Sequence, residues 1–190
     1  VGLNVASDAF MTLSYTGVEG GLVIVCADDP FMHSSQNEQD NRNYARAAKV
    51  PMLEPSDSQE ARDFCKRAFE LSEEFDTPVL LRLVTRLSHS AGLVSVAERE
   101  EVPLCGEFEP NPSKYVMVPA HARVRRQAMA ERTQKLIAFA EETDLNREEA
   151  GDASIGIVSS GVPYEYAREV FPEASFFKLG LVWPLPPIMQ

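Results

Sequence analysis

Short apolar runs separated by stretches of helical period restrict the fold of this chain more than any other feature. Gly21-Leu22-Val23-Ile24-Val25-Cys26, the proline-bounded Val50-Pro51-Met52-Leu53-Glu54-Pro55 and Val79-Leu80-Leu81-Arg82-Leu83-Val84 read as buried strands. Between the first two lies a helix with Tyr44, Ala45, Ala47 and Ala48 as apolar positions. Between the second and third, Ala61, Phe64, Cys65, Ala68, Leu71 and Phe75 repeat at 3.6 residues, with Glu60, Arg62, Asp63, Lys66, Arg67, Glu70 and Glu73 on the solvated face. Ser56 as N-cap with Gln59 reaching back has the spacing of a capping box. This strand–helix alternation predicts right-handed crossovers and a three-layer α/β fold around a parallel sheet.

The flanks extend the pattern. Asn4 or Ser7 caps a helix containing Val5, Ala6, Phe10, Met11, Leu13 and Ser14, which ends before Gly17. Residues 97–119 carry prolines and mixed charge without a period and read as an extended connector. A long helix is expected from about Ala120 to Thr143, anchored by Val124, Ala128, Leu136, Ile137 and Ala140, with Arg123, Arg125 and Arg126 on a solvated face. A second unit starts near Ala153, with a strand over 155–161, a helix over Tyr164–Val170 and a strand over Ser175–Gly180.

Chemistry concentrates after the first strand, in Asp28-Asp29-Pro30-Phe31-Met32-His33-Ser34-Ser35-Gln36-Asn37-Glu38-Gln39-Asp40-Asn41-Arg42. Open α/β sheets bind ligands at the carboxyl ends of their strands, where this string must lie. Read from the residues, His33 is as readily a solvated loop histidine as a proton carrier. Arg42 is either a surface partner of Glu38 at i,i+4 spacing, contributing about 0.3 kcal/mol, or a fork for a carboxylate. Ser34, Ser35 and Asn37 suit loop ordering, and Phe31 and Met32 suit either core packing or contact with an aryl group. Asp28, Asp29, His33, Glu38 and Asp40 fit no standard metal-ligand spacing. Past the third strand, Arg86 and His89 line the same edge.

At 190 residues with a formal net charge of −11, the chain has length for a sizeable core and lacks the basic face that nucleic-acid binding needs. No run approaches the ~18 apolar residues of a membrane span. Cys26, Cys65 and Cys105 are scattered, without a CxxC pair, so neither a zinc site nor an iron–sulfur cluster is encoded in this stretch. Such usage suits a reducing cytoplasm.

The blocks HSSQNEQDNRNYA, PMLEPSDSQEARD, AFELSEEFDTPVLLR and TRLSHS together resemble the large (alpha) subunits of the indolepyruvate:ferredoxin oxidoreductases, within the thiamine-diphosphate-dependent 2-oxoacid:ferredoxin oxidoreductase family. The resemblance runs along essentially the whole chain, which looks like an internal fragment of such a subunit. It implies the C-terminal part of a pyrimidine-binding domain over 1–96, a connector and long helix over 97–152, and the beginning of a transketolase-C-terminal-like α/β domain over 153–190. It implies oxidative decarboxylation of an aryl 2-oxoacid such as indolepyruvate to an acyl-coenzyme A, with ferredoxin reduced. Thiamine diphosphate with Mg²⁺ and [4Fe-4S] clusters are implied for the full-length cytoplasmic enzyme, none of them bound to this stretch alone. The partners implied are a small (beta) subunit, ferredoxin and coenzyme A, with no nucleic acid and no membrane. The fragment is expected to self-associate through its truncated sheet.

By the same resemblance His33 is catalytic and faces the cofactor and its substrate adduct, as does a histidine similarly placed in the decarboxylating subunits of 2-oxoacid dehydrogenase complexes. Arg42 grips the 2-oxoacid carboxylate, helped by Ser34 and Phe31, and Gly2, Leu3 and Asn4 lie against the cofactor. Two other classes compete with this reading: a non-catalytic α/β interaction domain whose polar loop caps a sheet, and a metal-dependent hydrolase built on the acidic loop.

Overall fold

The computed structural model describes every residue except Val1, Ser34, Glu100, 102–105, Glu107 and Gln190. A short helix α1 (Gly2–Val5) leads into α2 (Ser7–Thr16), then β1 (Val23–Asp28), a 3₁₀ turn over Pro30–Met32, α3 (Asn41–Ala48), β2 (Met52–Leu53), α4 (Ser58–Glu74), β3 (Val79–Val84) and α5 (Thr85–Ser88). Further along the chain come α6 (Pro112–Tyr115), α7 (Pro119–Glu142), β4 (Arg147–Glu149), β5 (Asp152–Ser160), α8 (Gly161–Val170), β6 (Ala174–Leu179), β7 (Leu181–Trp183) and a final 3₁₀ turn, Pro187–Met189.

The first sheet has the order β1-β3-β2-β7. Its β1, β3 and β2 run parallel, as the alternation requires, while β7 pairs antiparallel with β2. Right-handed crossovers explain the layering. The step from β1 out to β2 and the step back from β2 to β3 run in opposite directions, so α3 and α4 must cover opposite faces. On one face Phe64, Ala68 and Leu71 of α4 and Ala140 of α7 pack on Leu53, Val79, Leu81 and Leu181. On the other, Phe10 of α2 and Ala45 and Ala48 of α3 pack on Cys26, Val50, Met52 and Leu80. The period of two along β3 therefore sends Leu80, and Arg82 after it, toward the α2/α3 side.

Several local expectations are corrected. Neither Asn4 nor Ser7 caps α2, whose N-cap is Ala6 without a side-chain bond. The Asn4 amide oxygen instead accepts from the Tyr44 hydroxyl. The α4 cap is Asp57, one residue beyond Ser56, and its carboxylate accepts from Glu60 N at 2.7 Å. Ser56 is drawn away by the second unit, its hydroxyl lying 2.8 Å from Lys178 Nζ and 2.6 Å from Glu165 Oε1. Gln59 bonds Asp63 instead of reaching back. Ala47 is exposed. On α7, Val124 is exposed and the buried stripe is Met129, Arg132, Thr133, Leu136 and Ala140. Arg125 is not on a solvated face. It donates to the Tyr15 and Thr16 carbonyls at the end of α2 and to Asp76 at 2.7 Å, while Arg132 reaches the Ser14 carbonyl at 2.7 Å. Two cations thus close the C-terminus of α2, where the helix dipole favours positive charge.

The second sheet, β4-β6-β5, has β5 parallel and β4 antiparallel to β6. Tyr164 of α8 packs on Phe176 and Ala174 against one of its faces. β7, in the stretch expected to open the second unit, returns to the first sheet and stitches the two together. Among the described residues no helix is long and apolar enough to cross a membrane.

Candidate active site

Arg82 stands near the end of β3, inside an otherwise apolar strand, and is 5% exposed. A buried guanidinium requires counter-charge. Asp28, the last residue of β1, takes its Nε at 2.6 Å, and Glu54, just past β2, takes its Nη1. Both carboxylates are buried, at 4% exposure each. Each also meets the start of a helix. Asp28 accepts from the backbone and side-chain nitrogens of Asn41, the first residue of α3. Glu54 accepts from the Ser160 hydroxyl at 3.0 Å, next to the first turn of α8. Gly161, at φ +55°, opens that turn, and a Cβ there would stand 2.9 Å from Glu54 Oε1. Two acids facing one Arg are thus balanced partly by helix N-termini, which favour negative charge.

Helix α3 carries the candidate grip. Its N-cap Asp40 accepts from Arg42 N at 3.0 Å. The Arg42 guanidinium folds back onto the same carboxylate, Nε at 2.8 and 3.0 Å from its two oxygens and Nη2 at 2.7 Å. This bond to Arg42 holds the Asp40 carboxyl below the usual carboxylate range. The ion partner of Arg42 is Asp40, not Glu38 as its spacing suggested.

Between β1 and α3 the chain turns through an unusual 3₁₀ segment. Phe31 and Met32 both have positive φ, +65° and +53°, which costs a non-glycine residue about 1–2 kcal/mol. Both are exposed, Phe31 at 84%. The turn is pinned by Asp29, which accepts from Ser35 N at 2.9 Å and from the Thr85 hydroxyl at 2.7 Å. His33 is exposed and meets Phe31 edge-on, ring centroids 6.4 Å apart. Ser34 lies outside the described residues. Arg86 and His89 are exposed at the same edge.

Beside this turn, a cavity of about 320 Å³ is lined by Gly2, Leu3 and Ala6, by Ile24, Val25, Cys26 and Ala27 of β1, and by Asn41. The structure therefore brings Gly2 and Leu3 next to the residue that precedes Arg42. Asn4 is tied to α3 through Tyr44. The Cys26 thiol is pushed up to about 11 by burial and by the nearby Asp28 carboxylate, so it stays protonated and serves as a small core group.

The sequence does not single out Arg82 or Glu54 as site residues, and it raises Asp40 only among possible metal ligands. The signal for the first two was present: one Arg inside VLLRLV, with an acid closing each of the other two strands. Among the described residues no group of three or more His, Cys, Asp or Glu side chains is arranged to hold a metal ion.

The scaffold is that of an α/β protein with a parallel sheet between helical layers, and its polar side chains gather at the strand ends, where such folds bind their ligands. Residues 30–151 match the family described as pyruvate flavodoxin/ferredoxin oxidoreductase, thiamine diphosphate-binding, and the chain belongs to it. It is 48% identical to the indolepyruvate oxidoreductase subunit IorA of Methanothermobacter marburgensis, over 98% of this chain and 31% of that protein. The IorA subunits of Archaeoglobus fulgidus and Pyrococcus abyssi are 42% and 44% identical over 98% of the chain. The chain thus spans about a third of the length of the curated relatives it matches. In fold it is similar to the 2-oxoglutarate:ferredoxin oxidoreductase of Magnetococcus marinus, with a TM-score of 0.67 and 13% identity over 99% of this chain and 41% of that one.

Proposed function

We propose that this chain supplies one wall of the active site of a thiamine-diphosphate-dependent oxidoreductase. The enzyme oxidatively decarboxylates aryl 2-oxoacids, indolepyruvate first among them, to acyl-coenzyme A and reduces ferredoxin. The carrying observation is the Arg42 fork, already engaged in bidentate carboxylate recognition at the start of α3. Family membership and the likeness to IorA subunits support the substrate class.

In this reading Arg42 orients the substrate carboxylate with two parallel N–H donors, which the single point charge of Lys does less well. His33 is the group that holds or moves a proton at the substrate's keto oxygen, the general acid–base role an imidazole can take. Phe31, 84% exposed, gives the aryl ring an edge or face to pack against, and Ser34 adds a hydroxyl donor. Gly2, Leu3 and Asn4 approach the cofactor.

The residues present fit one portion of thiamine diphosphate. The cavity of about 320 Å³, lined on the β1 side by Ile24, Val25, Cys26 and Ala27 and bordered by Asn41, suits a flat heteroaromatic ring. The described residues include no metal cluster for a diphosphate. When bound, the cofactor supplies the electron sink for carbon–carbon cleavage. Mg²⁺, [4Fe-4S] clusters and a small subunit belong to this reading as contributions from outside the chain.

The test is an assay of the longer protein with its small partner, following ferredoxin reduction with indolepyruvate, phenylpyruvate and 2-oxoglutarate. Coenzyme A- and thiamine-dependent turnover of the aryl acids is expected. No reduction with any aryl 2-oxoacid overturns the reading. We further propose that the chain alone self-associates. β1 is an open sheet edge with Val25 58% exposed, and a clean monomer by light scattering across a wide concentration range contradicts this.

A further inference from the structure

The Arg42 fork is not open. Three N–H···O bonds direct its Nε and Nη2 edge onto Asp40, so the place a ligand carboxylate would take is filled by a carboxylate of the chain itself. The pair is accessible, with side-chain exposures of 50% for Arg42 and 35% for Asp40. A second cation stands nearby. Arg82 commits Nε to Asp28 and Nη1 to Glu54, while its Nη2 lies 4.0 Å from Asp40 Oδ1.

We propose that Asp40 is an internal competitor for Arg42: it closes the fork in the absence of ligand and turns to Arg82 when a 2-oxoacid carboxylate takes its place. This rests on reading Arg42 as the carboxylate grip. The exchange is balanced, because one carboxylate replaces another at the same fork with the same two-pronged geometry. Its cost is small, because a half-exposed ion pair contributes little and Asp40 gains contact with Arg82. Neutral carbonyl compounds cannot drive it. Once the carboxylate has left as CO₂, nothing holds Asp40 away and the fork closes again. Asp40 thus makes the site selective for ligands that still carry a carboxylate.

A purely structural role, the α3 cap, is separable from this one. Asn and Ser cap helices as well as Asp but carry no charge. The longer protein with its small partner, without coenzyme A so that turnover does not complete, and its variants are titrated with phenylpyruvate, followed by NMR at the Arg42 Nε–Hε resonance in Arg42-containing forms and by calorimetry throughout. Asp40→Asn and Asp40→Ser should bind about two- to fivefold more tightly than wild type, and Arg42→Lys added to Asp40→Asn should erase the gain. Phenylacetaldehyde, which lacks the carboxylate, should not move the Arg42 resonance in wild type. If the Asp40 variants bind no more tightly than wild type, including the case where none binds, the competitor role is overturned. Arg42→Lys then tells which claim has failed. Weakened binding in that variant spares the Arg42 reading, and unchanged binding removes it along with the proposal.

Discussion

Replacing Arg82 by Met is the perturbation with the largest expected effect on the fold. The guanidinium is 5% exposed and its two acids 4% each, so solvent cannot take over its role. Met fills much of the volume but leaves Asp28 and Glu54 buried across from each other without their cation. Removing one partner of a buried ion pair costs about 3–5 kcal/mol. For a chain of this size each kcal/mol moves the melting point by about 2–4 °C, so the drop should be about 6–20 °C. Differential scanning calorimetry of wild type, Arg82→Met and the triple variant Arg82→Met/Asp28→Asn/Glu54→Gln measures it. The triple variant should recover much of the loss, because without the two charges the desolvation penalty disappears with them. An Arg82→Met shift below about 2 °C refutes the argument that this cation neutralises the strand ends.

Other outcomes follow from neighbouring contacts. Asp57→Ala, which removes the acceptor for Glu60 N, should cost about 1 kcal/mol of stability by urea unfolding, and an unchanged midpoint contradicts the cap. The Glu60 carboxyl is raised by burial but lowered further by the Lys178 ammonium and the Ser56 amide, so it lies below its ordinary 4.5. A depressed carboxyl contributes stability that is fully present above its unfolded value and lost as pH falls through the folded one. Stability should therefore hold down to about pH 4.5 and fall below it, and in Lys178→Met, where no ammonium depresses the Glu60 carboxyl, that fall should shrink. An acid loss of stability as large as in wild type, followed by circular dichroism, denies the pairing. In the complete enzyme His33→Ala should lower kcat more than it raises KM for the 2-oxoacid, and the reverse pattern places His33 in binding instead of proton transfer.

The sheet was legible because its period was legible. The strand runs at 50–55 and 79–84 contain β2 and β3, the run at 21–26 overlaps β1, which continues to Asp28, and the Ala61–Leu71 stripe is the buried face of α4. Wherever a residue answers to something distant in sequence, local reading failed. Ser56 and Asp57 both fit a cap, and the choice was made by Lys178, 122 residues away from Ser56. Arg125 and Val124 exchange their expected roles because the end of α2 offers α7 carbonyls instead of apolar surface. β7 is three residues long, too short to show a period, and exists because β2 has an unpaired side. At the site, the loop chemistry was visible in HSSQNEQDNR, whereas the Asp28–Arg82–Glu54 triad joins three strand ends and emerges only once the strands are aligned.

The claim on which the functional account turns is that Arg42 grips a 2-oxoacid carboxylate with two prongs. Arg42→Lys in the complete enzyme keeps the charge and removes the fork. Charge-assisted bonds contribute about 1.5–3 kcal/mol each, so kcat/KM for indolepyruvate should fall roughly ten- to a hundredfold, with stability and thiamine diphosphate affinity little changed. A kcat/KM within about twofold of wild type, a difference of under about 0.5 kcal/mol, means that Arg42 is a surface residue and the carboxylate is held elsewhere.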